Sequence, residues 1–348
     1  MEERSMTIRP YGVTRNGEAV EEITLQNGAM EAKIITLGAT ITALRVPDES
    51  RTDVVLGYSC LAGYEENEGY LGALVGRYAN RIAQSEATID GQVYRLTANE
   101  GRNQLHGGPV GFSHRVFRAQ QTGKAQVTLE YTSPDGENGF PGTLRLTAIY
   151  TLLADGLRLR YRATCDRATF CNITNHSYFN LNGGGSVLRH RLLLNADSFT
   201  PVDAERIPLG QLLPVAGTPF DFTKEKELGR DIGADNEQLR IGGGYDHNFV
   251  LRPAEGLRPA AVLTGERSGI RMRVLTTKPG VQLYSANFLN TAHCTKSGLP
   301  YEKHAAVCLE TQYFPDSPHH PQWGGALLRP GRTYDHTTEL RFDMCRSL

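Results

Sequence analysis

The sequence has no pair of cysteines at C-x-x-C spacing; Cys60, Cys165, Cys171, Cys294, Cys308 and Cys345 are widely scattered. That pattern excludes zinc-ribbon and thioredoxin-type redox motifs, and in a chain this long it reads as free thiols of a cytoplasmic protein. No apolar run approaches the roughly 20 residues a membrane helix requires. The charged start Met1-Glu2-Glu3-Arg4-Ser5 lacks the apolar centre of a secretory leader. An excess of charge of one sign is also missing, the formal net charge being -1. There is accordingly no basic footprint for nucleic acid and no membrane partner to expect. Gly183-Gly184-Gly185 and Gly242-Gly243-Gly244 lack the G-x-x-x-x-G-K-[ST] pattern, so both read as flexible turns rather than phosphate loops. Helical periodicity is scarce, with residues 59–66 and 224–229 each long enough for a turn or two. Linkers, composition shifts and internal repeats are absent too.

What the sequence does have is short alternating runs between turn signals. Residues 22–26 and 31–36 flank Asn27-Gly28, residues 86–89 and 92–96 flank Asp90-Gly91, and residues 143–153 and 157–163 flank Asp155-Gly156. Each is a hairpin signature. In the last, Leu157, Leu159 and Tyr161 alternate with Arg158, Arg160 and Arg162, predicting one buried face and one solvated, charged face. Further strands are predicted at 111–120, 126–131, 191–196, 248–251, 269–275, 281–284, 305–310 and 339–344. Many antiparallel strands without a linker predict an all-β fold, a single large antiparallel β-sandwich or barrel, rather than α/β.

Residues suited to chemistry cluster near the ends of these strands. Asn172 to Leu181 places His176 beside Asn175, Ser177 and Tyr178, partners that can orient an imidazole and place its proton. Residues 76–82 carry two arginines and Asn80, residues 103–108 carry His106, and residues 244–248 carry Asp246. Gln282 lies on an alternating strand. Glu310 follows Val307, Cys308 and Leu309, and a carboxylate in that company must be paired or desolvated. His, Glu, Asp, Arg, Asn and Gln together suit a hydroxyl-rich ligand, with Tyr178, Tyr284, Tyr313 and Trp323 available to cover the apolar face of a sugar ring.

Seven segments resemble, in order and at similar spacing, those of the aldose 1-epimerase (galactose mutarotase) family. They are residues 76–82, 103–108, 174–181, Gly217-Thr218-Pro219-Phe220-Asp221-Phe222, 245–248, 280–289 and 309–316. The resemblance runs from near residue 20 to the C-terminus. It implies a single β-sandwich domain over residues 1–348, with its core at about 20–345, acting on free hexoses such as galactose and glucose. It implies no cofactor and no metal, and a monomer or weak homodimer. The family's general acid falls on His176 and its general base on Glu310. Its sugar-holding residues fall on Asn80, Arg81, His106, Tyr178, Asp246 and Gln282. Around His319-His320 the chain departs from the commoner family wording. This chemistry requires a charged His176 and an ionised Glu310, the latter kept so by hydrogen bonds from Gln282 or a backbone N–H.

Three other readings share the same residues. A non-enzymatic carbohydrate-binding sandwich would keep the amides and aromatics without needing the His and Glu. Glycoside cleavage would use Asp246 and Glu310 as its two carboxylates. Asp316 with His319 and His320 could hold a metal, although adjacent histidines on a strand would point to opposite faces.

Overall fold

Asp90-Gly91 forms the two-residue turn its sequence predicts: Ile89 pairs with Gln92, and both turn residues have positive φ, 52° and 82°. The other two hairpins form one residue out of step. Asn27 pairs with Met30, so the first turns at Gly28-Ala29, and Leu153 pairs with Gly156, so the third turns at Ala154-Asp155. Gly156 is therefore a strand residue. A Cβ there would lie 2.0 Å from the carbonyl oxygen of Leu340, so the glycine permits close approach by the neighbouring strand. These observations come from a computed structural model that describes residues 4–67, 69–291 and 295–345.

Strands dominate, and the two short α-helices among the described residues are Leu61–Glu66 and Glu237–Gly242. The first answers the helical signal at 59–66. The signal at 224–229 gives instead the short edge strand Lys226–Glu227. The second helix follows Asn236, whose side chain accepts from the N–H groups of Gln238 and Leu239, a capping pattern with a plain sequence signature.

A nine-stranded antiparallel sheet forms one layer, running in order Arg118–Gly123, Gln126–Ser133, Leu144–Leu153, Gly156–Cys165, Tyr334–Met344, Ile270–Thr276, Arg258–Thr264, Arg191–Leu194 and Lys226–Glu227. A five-stranded sheet, in order Leu213–Pro214, Ala196–Phe199, Asp246–Leu251, Gly280–Tyr284 and Cys308–Gln312, packs against it. The Oγ1 atoms of Thr311 and Thr338 meet at 2.6 Å across that interface. A four-stranded sheet, Arg4–Val13, Ala19–Asn27, Met30–Ile35 and Thr40–Arg45, adds to the layers. Residues of all three sheets, among them Ile23, Leu146, Leu159, Phe249 and Leu309, join one buried apolar cluster. Each such side chain removed from water contributes about 1.5–3 kcal/mol before conformational entropy is counted. The result is an all-β sandwich.

The solvated face of Gly156–Cys165 behaves as its alternation predicts. Arg158 pairs with Glu339, and Arg160 and Arg162 both reach Asp335. The expected strand 191–196 divides between sheets, because the chain crosses from one layer to the other at Asn195. Its N–H donates to the Ala260 carbonyl and its side-chain amide to that of Pro259.

Candidate active site

Strand register puts one polar face together. Asn248, Gln282 and Glu310 are opposite one another, as are Asp246, Tyr284 and Cys308, so all six share one side of the five-stranded sheet. The intervening Phe249, Val281, Leu283 and Leu309 enter the core. The glycine run at 242–244 delivers Asp246 to its place. Gly243 caps the short helix at φ 65°, and Gly244 turns tightly against Asn287, where a Cβ would lie 2.4 Å from Oδ1.

His176 arrives from another direction. Its N–H donates to the Ala73 carbonyl and its carbonyl accepts from Gly72. Asn175 locks the same turn, its amide donating to the Gly72 carbonyl and its oxygen accepting from Ser177 Oγ at 2.6 Å. A third element, Arg81–Ile82 paired with Gln104–Leu105, carries Asn80, Arg81 and His106 together at one end, where the His106 N–H donates to the Asn80 carbonyl. The glycine after His106 is obligatory, because a Cβ on Gly107 would lie 2.1 Å from the Gly76 carbonyl oxygen.

These three elements surround a cavity of about 470 Å³. Seven of the eight residues picked out by resemblance line it: Asn80, Arg81, His106, His176, Tyr178, Asp246 and Glu310. Gln282 is not in the lining. It is buried, and its amide donates to Asp246 Oδ1 at 2.8 Å while its oxygen accepts from Gln312. Tyr178 lies stacked on His176, ring centroids 5.1 Å apart. Of the aromatics available for a sugar face, Tyr284 lines the cavity, whereas Tyr313 packs on His336 and Tyr334, and Trp323 on Phe314 and His320. Arg77, the other arginine of its segment, is fully buried and holds the carbonyls of Pro141 and Gly142.

Sequence reasoning missed Tyr70, Glu100, Arg206 and Phe288, all in the cavity wall. Tyr70 has a detectable consequence, its ring lying 4.6 Å from that of His106 and 5.9 Å from that of His176. Phe288 falls inside the resembling segment 280–289 and is 57 % exposed, an apolar ring at the surface of a polar cavity. The other three sit in loops with no periodic signal.

His176 Nε2 stands 3.6 Å from Glu310 Oε1, too long for a hydrogen bond but close enough to share a small ligand. The expected charges are not those that burial of these side chains favours. Burial lowers the imidazole of His176 to about 4, the negative Asp246 only partly opposing it. Burial, with Asp246 adding to it and Arg81 opposing, raises the Glu310 carboxyl well above the usual range. The expected hydrogen bond from Gln282 goes to Asp246 instead, and among the described residues no hydrogen-bond partner reaches the buried Glu310 Oε2 or His176 Nδ1. Without donors the carboxylate loses its main stabilisation, so the pair favours neutral forms holding one proton between them.

Ring nitrogens of His106 and His176 and an oxygen of Glu310 lie within 4.8 Å of one another, a spacing that invites the question of a metal. The tautomer of His106 answers it. Its Nδ1 accepts the Asn80 backbone N–H at 3.1 Å, so Nε2 carries the ring proton. A histidine ligand has the opposite arrangement, donating through its second nitrogen. The donor set fits a hydrogen-bond donor aimed at a ligand oxygen, not a metal ligand. At the other candidate, His319 and His320 do not diverge. Successive 3-10 turns bring both back to Asp316, at 2.6 and 3.5 Å, and Asp316 also accepts the Ala83 N–H.

Residues 21–341 match the family profile described as aldose 1-epimerase. Galactose mutarotase from Bos taurus is 43% identical over 329 residues, 93% of this chain and 94% of that protein. Aldose 1-epimerase from Escherichia coli K12 is 39% identical over 335 residues, 94% of this chain and 96% of that one. Among solved structures, galactose 1-epimerase from Lactobacillus acidophilus NCFM superimposes with a TM-score of 0.87 at 30% identity, covering 98% of this chain and 99% of that one.

Proposed function

The chain belongs to the aldose 1-epimerase family, and from that premise we propose that it interconverts the α and β anomers of free aldohexoses such as galactose and glucose. It is an isomerase whose partner is a small sugar. The observation that carries the catalytic assignment is the separation of His176 and Glu310, facing each other at 3.6 Å in the wall of a cavity lined by neutral and charged hydrogen-bonding groups.

Ring opening needs a proton removed from the anomeric hydroxyl and one delivered to the ring oxygen. Glu310 is the base and His176 the acid; after the aldehyde turns about C1–C2, each takes the opposite role in closure. The shared proton must then reside on the imidazole. The anomeric hydroxyl, donating to the Glu310 carboxylate in the cavity wall, stabilises its charged form. His106, with its proton on Nε2, and Arg81 donate to sugar oxygens, while Asn80 and Asp246 bind hydroxyls. Tyr178 backs the acid, and Gln282 acts through Asp246.

Free thiols at Cys60, Cys165, Cys171, Cys308 and Cys345 support a cytoplasmic setting; Cys294 lies outside the described residues. No helix among the described residues is long and apolar enough to cross a membrane. We take the working form to be a monomer or weak homodimer, without a nucleic-acid partner.

Polarimetry of freshly dissolved α-galactose and α-glucose tests the assignment. Glu310→Gln and His176→Asn should each lower turnover by orders of magnitude in a protein that stays folded and still binds sugar. A near-normal rate in Glu310→Gln removes the base assignment, and retained activity in His176→Asn points to His106 as the acid.

A further inference from the structure

Arg81 is a buried cation facing two carboxylates, Asp246 and Glu310, both of which draw it toward the reacting pair. What holds it back is a third carboxylate outside the resembling segments. Glu100 accepts from Arg81 Nε at 2.6 Å through Oε2 and from Nη2 at 2.7 Å through Oε1. This two-pronged contact fixes the plane of the guanidinium of a side chain that lines the cavity. Glu100 is itself held in place. It closes the short turn 100–103 through mutual backbone bonds with Asn103, and Arg206 Nη2 reaches its Oε1 at 3.2 Å. The Arg206 guanidinium in turn lies 5.0 Å over the ring of Phe288.

We propose that Glu100 is the positioning residue that keeps Arg81 directed at bound sugar rather than paired with Glu310, a role resting on the sugar-site reading above. Without Glu100, the acidic groups left to draw Arg81 are Asp246 and Glu310. A guanidinium settling there would occupy the space of the sugar and hold Glu310 ionised in a pair that must be broken before catalysis.

The same two loops are joined by a second contact that does not involve Arg81, which provides a control. Glu205 accepts from Arg102 Nε at 3.0 Å and from the Asn103 amide at 2.8 Å. The experiment measures mutarotation rates and galactose affinity, the latter by ligand-observed NMR, for wild type, Glu100→Gln, Arg81→Lys, their double variant and Glu205→Ala. Glu100→Gln should weaken galactose binding about tenfold or more and lower kcat/KM at least as far, and should cost much less in the Arg81→Lys background. Glu205→Ala should stay within about twofold of wild type, as exposed ion pairs contribute little. The proposal is overturned if Glu100→Gln is within twofold of wild type, if its cost is equal in both backgrounds, or if Glu205→Ala reproduces it. A wild type that binds galactose without accelerating mutarotation removes the catalytic reading alone, since the affinities still decide the role of Glu100. Failure to bind galactose at all overturns both.

Discussion

Taking water from around His176 and Glu310 penalises the charged form of each, and at 3.6 Å the two titrate as a pair rather than separately. The direction is set by burial in both cases, downward to about 4 for the imidazole and upward for the carboxyl. Between those limits the pair holds one proton, the number that a donor and an acceptor require together. Below the lower limit a second proton is added and no base remains. The sign therefore predicts that kcat/KM falls on the acid side through about 4, with circular dichroism confirming that the fold persists. An acid limb near the ordinary imidazole value of about 6.5 would show that His176 titrates as an exposed ring does. Seven of the residues picked out by resemblance line one cavity, and each lies in a contiguous segment that the resemblance covers. The resemblance could not supply their protonation, which depends on which donors reach Glu310. That requires knowing that the Gln282 amide turns to Asp246.

Among elements, the hairpin ending at Gly156 shows how far local signals carry. Alternation located both strands and their wet face, and Asp155-Gly156 gave a credible turn, yet the turn forms one residue earlier. The reason is non-local: the Leu340 carbonyl, from a strand almost two hundred residues on, occupies the space where a side chain on residue 156 would go. Gly156→Ala should therefore destabilise the protein by about 1–3 kcal/mol in urea unfolding, since the obstacle is backbone and cannot rotate away. Unchanged stability would mean that Tyr334–Met344 shifts freely against its neighbour. The same logic accounts for the crossing at Asn195, where the chain leaves one sheet for the other directly after the apolar run Leu192 to Leu194. It also accounts for Glu100 and Arg206, whose place in the cavity wall comes from loops meeting across about a hundred residues. Neither periodicity nor turn chemistry encodes such meetings.

On the scale of the molecule, the seam between the two large sheets passes close to the site, and a buried cation sits on it. Lys278 links Ile270–Thr276 of the nine-stranded sheet to Gly280–Tyr284 of the five-stranded one. Its Nζ donates to the Tyr334 hydroxyl and approaches Asn172 Oδ1 at 3.5 Å, with the Tyr313 and Tyr334 rings 4.4 and 4.3 Å away. Asn172 ties Ala79 to Tyr313, its amide bonding to both carbonyls and its oxygen accepting the Tyr313 N–H. Among the described residues no carboxylate pairs with Lys278, and burial lowers its ammonium to about 7. An unfolded lysine keeps its proton until about 10.4. Between those values the unfolded chain binds more protons than the folded one, so this residue's contribution to stability grows as pH rises from 7 and is lost as pH falls back through 7. Subtracting Lys278→Met from wild type isolates that term. The difference in unfolding free energy should be constant below pH 7 and shift in favour of wild type between 7 and 10. A difference independent of pH over that window would mean that the two tyrosine rings and Asn172 suffice to keep the ammonium charged inside the fold.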